Sequence, residues 1–183
     1  QLLPGFMRAM GSPMEFNSST VDKPGRPIAW TMLRRWMAPH RNFHDPHVAL
    51  MIGINPMVNG NGGVPLGHPG RWLSKALARG MELIVIDPRR SDIAKRATIL
   101  LQPRPRHDIQ LIAAMLKVIL AEGCYDERFV AENVRGLDTL RRTVEPFDPA
   151  EVARGAGVPA DDLVRAARAF GAAGRGYAVA GTG

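Results

Sequence analysis

The chain has 183 residues, 45% of them hydrophobic, which is enough for one substantial domain with an appendage. Lys and Arg outnumber Asp and Glu 24 to 17, so a net charge of +7 points to a solvated basic surface or a phosphate-bearing partner. One cysteine, Cys124, excludes a disulfide framework or a cysteine metal cluster within this stretch, and no apolar run reaches the ~18 residues of a membrane span.

Residues 1–25 are rich in Gly, Pro, Ser and Met and read as loop with one short helical turn. Pro27 opens a helix with Ile28, Met32, Leu33 and Trp36 on one face, and Pro39 ends it. Val48–Ile52 is a continuous apolar run between Asp45-Pro46 and Gly53, the pattern of a strand buried on both faces. A loop follows from Asn55 to Gly70, then a helix from about Pro69 with Trp72, Leu73, Ala76 and Leu77 apolar and Gly80 as its stop. Met81–Ile86 is a second strand, 91–97 a helical turn, and Thr98–Leu101 a third strand. The strongest helix runs from about His107 to Glu122, its broad apolar face drawn through Ile109, Ile112, Ala113, Leu116, Ile119 and Leu120. Shorter helices are expected near 126–134, 137–144, 149–155 and 160–173, the third opened by the capping sequence Asp148-Pro149-Ala150-Glu151. Tyr177–Ala180 is a last strand, and Cys124 reads as packing.

Strands alternate with helices, so the expected fold is α/β, Rossmann-like, a mostly parallel sheet with helices on both faces. Residues 1–45 are expected to form an N-terminal loop and helix segment, and 46–183 the Rossmann-like domain. Gln1-Leu2-Leu3-Pro4-Gly5 is neither a start nor a secretory leader, and Gly183 closely follows a strand tip. The chain therefore reads as an internal piece of a longer protein, with the cytoplasm the favoured location.

Three turns carry the candidate chemistry, each directly after a strand, where open α/β sheets bind ligands. The first is Gly53-Ile54-Asn55-Pro56, in which glycine admits a phosphate to the backbone and asparagine can donate to it. Asn59–Gly63 beyond it could form a nest of amides for an anion, or be a surface loop. The G-x-G-x-x-G fingerprint is absent, so a plain nicotinamide site is poorly supported. The second turn is Asp87-Pro88-Arg89-Arg90: a carboxylate for ribose hydroxyls and arginines for phosphate or base, or equally a strand stop with solvated charges. The third, Gln102–Asp108, brings basic groups and one carboxylate to a helix N-terminus, or is a proline-stiffened connection. Together the three favour a nucleotide site.

In this order, Ile52–Pro56, Leu83–Arg89 and Leu101–Pro105 with Asp108 resemble the molybdopterin oxidoreductases of the dimethyl sulfoxide reductase family. Arg8–Pro13 and Ala121–Val130 are similar to that family as well. The resemblance implies an enzyme performing two-electron redox chemistry on a bis-molybdopterin guanine dinucleotide cofactor with molybdenum or tungsten. This stretch would hold one dinucleotide arm: Gly53, Asn55 and Pro56 at the diphosphate or pterin, Asp87 and Arg89 at the guanosine, Asp108 at the guanine. It implies further domains of the parent enzyme and an electron-transfer partner, with any four-iron cluster outside this stretch, and an isolated piece without turnover. Ser18, Ser19 and Asp22 lie where such enzymes place the metal-ligating residue. The family usually has glycine or another small residue before the acid of the third turn, where this chain has Arg106-His107. The rival reading is a non-catalytic nucleotide- or nucleic-acid-binding module; the helix-core spacing of Trp72 beside Leu73 and Leu77 argues against a nucleic-acid partner.

Overall fold

A computed structural model of the chain describes residues 3–14, 25–32, 43–59 and 68–181. It divides into two compact units, 1–39 and 40–181. The first contains α1 (Leu3–Ala9) and α2 (Gly25–Met32). Ile28 and Met32 are both exposed, and the expected continuation to Leu33 and Trp36 lies outside the described residues.

The second unit is built on β1 (Val48–Ile52), β2 (Glu82–Ile86), β3 (Ile99–Leu101) and β4 (Gly176–Ala180), all parallel, in the order β3-β2-β1-β4. The short uninterrupted apolar runs are strands because both faces of the sheet are covered. Val48, Leu50, Ile84, Ile86, Ile99 and Leu101 point to one core, and Ala49, Met51, Leu83 and Val85 to the other. This is the period-two alternation of a strand, with apolar residues on both sides. Phe43, 2% exposed, is buried in the second core, so residues just before β1 pack with the sheet and the expected division at 45/46 falls inside this unit.

Between β1 and β2 come the one-turn helix α3 (Pro56–Asn59) and α4 (Pro69–Ala78), which buries Leu73 and Ala76 on the second face. A 3₁₀ turn, Ala94–Arg96, joins β2 to β3. The connection from β3 to β4 holds α5 (Asp108–Ala121), α6 (Glu127–Asn133), α7 (Leu137–Val144), α8 (Pro149–Ala156) and α9 (Ala160–Gly171). Of these, α5, α8 and α9 cover the first face through Leu111, Ala114, Met115, Val118, Ala153, Leu163 and Ala166. Asp148 opens α8 as expected, its carboxylate accepting from the Ala150 and Glu151 amides at 3.0 Å.

One expectation is corrected. The buried stripe of α5 is Leu111, Ala114, Met115 and Val118, while Ile109 is 77% exposed and Ile112, Leu116 and Ile119 are half-buried. From Leu111 to Ala121 this helix is apolar almost all round, interrupted only by Lys117. The pattern therefore left its orientation open, and packing against α8 and α9 selected the stripe. Close packing also shows at Gly171 of α9, where an added Cβ would stand 2.6 Å from the Cys124 carbonyl.

Candidate functional site

The register sets Ile52 of β1 beside Ile86 of β2 and Ala180 of β4, and Ile86 beside Leu101 of β3. The strands thus end level, and the three singled-out turns leave from one edge, joined by Gly181 after β4. The chain travels outward from β1 through β2 to β3, then returns to the other side of β1 as β4. The connections diverge at the carboxyl ends of β1 and β4, which is where a doubly wound sheet opens its ligand crevice.

Gly53 and Gly181 stand at that point. Gly53 has φ +56°, which a side chain disfavours, and its amide donates to the Ile86 carbonyl at 2.8 Å. The Gly181 amide donates to the Ile52 carbonyl at 2.8 Å, and a Cβ on Gly181 would overlap the Gly53 carbonyl. Two backbones therefore meet without side chains between them. Gly181 was not singled out from sequence. Its signal was a Gly-x-Gly triplet directly after the last strand, the same punctuation as Gly53 after the first.

Asn55 caps α3: its Oδ1 accepts from the Met57 amide at 3.1 Å and Pro56 takes the first helical position. Among the described residues its side-chain NH₂ has no acceptor, and Pro56 is buried. The glycine-rich stretch 60–63 lies outside the described residues.

Asp87 is 2% exposed and organises its own turn. Its amide donates to the Leu101 carbonyl at 3.1 Å; Oδ1 accepts from the Arg89 amide at 2.8 Å and Oδ2 from the Ser91 hydroxyl at 3.1 Å. An ionised carboxylate offers about four acceptor positions, so capacity for further donors remains. The Arg89 side chain is 81% exposed, its Nε 3.9 Å from Asp87 Oδ1. The chain bends at residues 88 and 89, and Arg89 and Arg90 are both exposed. The Gln102 side chain ties the second and third turns by donating to the Pro88 carbonyl at 2.9 Å.

In the third turn Pro103 is buried and the Arg104 amide donates to the Ala156 carbonyl at 2.8 Å. Arg106 has φ +74°, a left-handed conformation that glycine adopts without strain. Asp108 begins α5, half-buried, and its carboxylate accepts no hydrogen bond from the described residues. A carboxylate there is favoured by the helix dipole and stays open to an outside donor. Ser18, Ser19 and Asp22 lie outside the described residues; among the described residues no three His, Cys, Asp or Glu side chains group to hold a metal ion. Nor is any described helix long and apolar enough to cross a membrane. Trp72 is half-buried, its ring centroid 4.6 Å from that of His44.

Sheet order and register define a Rossmann-like α/β domain. No protein-family model matches the chain. It is 35% identical over 108 residues to the F420-dependent formate dehydrogenase 2 subunit alpha of Methanococcus maripaludis, a match over 58% of this chain and 16% of that protein. It is 31% identical over 171 residues to the acetylene hydratase of Syntrophotalea acetylenica, over 90% of this chain and 22% of that protein. Formate dehydrogenase H of Escherichia coli is 33% identical over 105 residues, 56% of this chain and 15% of that protein. The solved structure of acetylene hydratase from Pelobacter acetylenicus superposes with a TM-score of 0.65 at 31% identity, covering 75% of this chain and 18% of that one. The chain belongs to the molybdopterin oxidoreductases of the dimethyl sulfoxide reductase family. It spans between about a seventh and a quarter of the length of these relatives.

Proposed function

We propose that this chain is part of a longer molybdopterin-dependent oxidoreductase and that the carboxyl edge of its sheet holds one guanine dinucleotide arm of the bis-pterin cofactor. The observation that carries this is the side-chain-free meeting of Gly53 and Gly181 at the point where the sheet's connections diverge. With no side chain on either glycine, a diphosphate can approach the backbone there more closely than a Cβ would allow.

The flanking donor set suits the remaining parts of such a ligand. Asn55 has an NH₂ unpaired among the described residues for phosphate or pterin oxygens. Asp87, rigidly held, faces ribose hydroxyls with its remaining lone pairs, and Arg89 supplies a planar cation. Asp108 accepts from the N–H groups of guanine, which a carboxylate without a partner among the described residues does at little cost. When bound, the cofactor supplies two-electron chemistry at molybdenum or tungsten, and the chain's residues bind and orient it. The rest of the enzyme supplies the second dinucleotide and the route for electrons. Ser18, Ser19 and Asp22 are the candidate metal ligands.

Titration of the chain with guanosine diphosphate, followed by amide NMR shifts, tests the assignment. Saturable changes at Gly53, Asn55, Asp87, Asp108 and Gly181 are expected, weakened about tenfold or more in Asp108→Ala, since a charge-assisted hydrogen bond contributes roughly 1.5–3 kcal/mol. Absence of saturable shifts at this edge, or undiminished affinity in Asp108→Ala, would contradict it.

A further inference from the structure

At the opposite, amino edge of the sheet lies a polar hollow of about 260 Å³ that the cofactor reading does not use. Three segments converge on it: His44, Asp45 and His47 before β1, Arg79 before β2, and Arg175 before β4. The strands separate it from the dinucleotide edge by roughly 16 Å of filled core.

The hollow is built, not incidental. The His47 amide donates to the Arg175 carbonyl at 3.0 Å, and the Glu82 amide to the His47 carbonyl at 2.9 Å. Arg79 Nη2 donates to the Phe43 carbonyl at 2.6 Å. His47 Nδ1 lies 2.9 Å from the Ala173 carbonyl, which can only accept, so Nδ1 carries the proton. Nε2 then presents a lone pair, and Arg175 Nη2 donates to it at 2.8 Å. Each guanidinium is fixed through one nitrogen, and its other donors bond nothing among the described residues. Among the described residues neither comes within 4 Å of a carboxylate, although Asp45 lines the same hollow. Two positioned, uncompensated guanidiniums facing one small concavity make a receptor for planar or tetrahedral oxygen anions.

We propose that this hollow is an oxyanion site that takes one carboxylate or phosphate group between Arg79 and Arg175. The anion comes either from a small free molecule or from an acidic side chain elsewhere in the longer protein, and the ligand chemistry is the same.

The test titrates the chain with inorganic phosphate and, separately, with acetate, at constant ionic strength, reading the amide shifts of His47, Gly80 and Arg175. Saturable binding of at least one is expected. Arg79→Gln and Arg175→Gln should each weaken it about tenfold, and Arg175→Lys, which keeps the charge but loses the fork, should fall between. Asp45→Asn, which removes a like charge, should tighten binding several-fold. Arg128→Gln, an equal loss of net charge elsewhere, should leave it unchanged. If Arg175→Gln does not fold because its contact with His47 is lost, Arg79→Gln and Asp45→Asn carry the test. Repeating the titration in the full-length protein separates the sources: retained binding identifies a free anion, and lost binding identifies an acidic group of the protein already seated. No saturable binding of either anion to the chain, or affinities indifferent to Arg79 and Asp45, would overturn the proposal.

Discussion

Gly53 and Gly181 are both glycines at strand ends, for different physical reasons. At Gly53 the constraint is the backbone: φ is +56° and a Cβ would meet nothing within 4 Å. At Gly181 the constraint is space, because a Cβ would overlap the Gly53 carbonyl. Gly53→Ala should therefore cost roughly 1–2 kcal/mol in backbone strain, whereas Gly181→Ala should cost about 1–3 kcal/mol and move β4 away from β1. Urea denaturation gives the energies, and amide shifts across β1 and β4 show whether only the second variant perturbs strand pairing. Asp87 illustrates what sequence could and could not convey. A polar residue closing an apolar run marks a strand end, but its burial depends on the turn through Ser91 folding back over it. Asp87→Ala should cost about 1–3 kcal/mol by leaving the Arg89 amide and Ser91 hydroxyl without an acceptor; equal stability to the native chain would refute that role. Arg106→Gly should stabilise by up to about 1 kcal/mol, because it removes left-handed strain at φ +74°.

At the scale of elements, strands and caps were legible because their signals are local. Val48–Ile52 and Glu82–Ile86 are continuous apolar runs with breakers at both ends, and Asp148-Pro149 announces α8 within four residues. The orientation of α5 was not legible, since its apolar surface runs almost all the way round and only tertiary packing chooses the buried stripe. Two substitutions check that choice. Leu111→Ala should lose about 2–5 kcal/mol, while Ile109→Ala, two residues earlier but exposed, should change stability by less than about 0.5 kcal/mol. The meeting of β1 with β4 was likewise invisible, because it joins residues separated by most of the chain. Helix α9 is tied to the end of α5 by Arg168, whose Nε and Nη2 donate to Glu122 at 2.7 and 2.8 Å. That hydrogen-bonded pair holds the Glu122 carboxyl below its ordinary value of 4.5 and raises the Arg168 guanidinium. A carboxyl lowered in the folded state adds stability above its unfolded value and loses it as pH falls through its folded one. The stability difference between the native chain and Glu122→Gln should thus narrow as pH drops below about 4.5 and be flat near neutrality. A difference that grew on acidification would exclude the pairing.

For the whole molecule, the described surface carries apolar side chains that a soluble domain seldom leaves open: Phe6 and Met32 in the first unit, Ile109 and Phe129 in the second. In relatives roughly four times longer, corresponding surfaces have other parts of the chain available to cover them. The chain alone should accordingly self-associate as concentration rises, with sedimentation velocity as the measure; a strict monomer at high concentration would mean these side chains are tolerated in water. The central claim concerns the cofactor, and the most direct measurement is the guanine nucleotide released by acid from the purified full-length enzyme, quantified per mole of protein. Native protein should release nucleotide in proportion to its molybdenum or tungsten, and Asn55→Ala with Asp108→Ala should lower both together by about tenfold or more while circular dichroism stays unchanged. Native protein that carries the metal without guanine nucleotide, or a double variant that retains the full complement of both, would contradict the account.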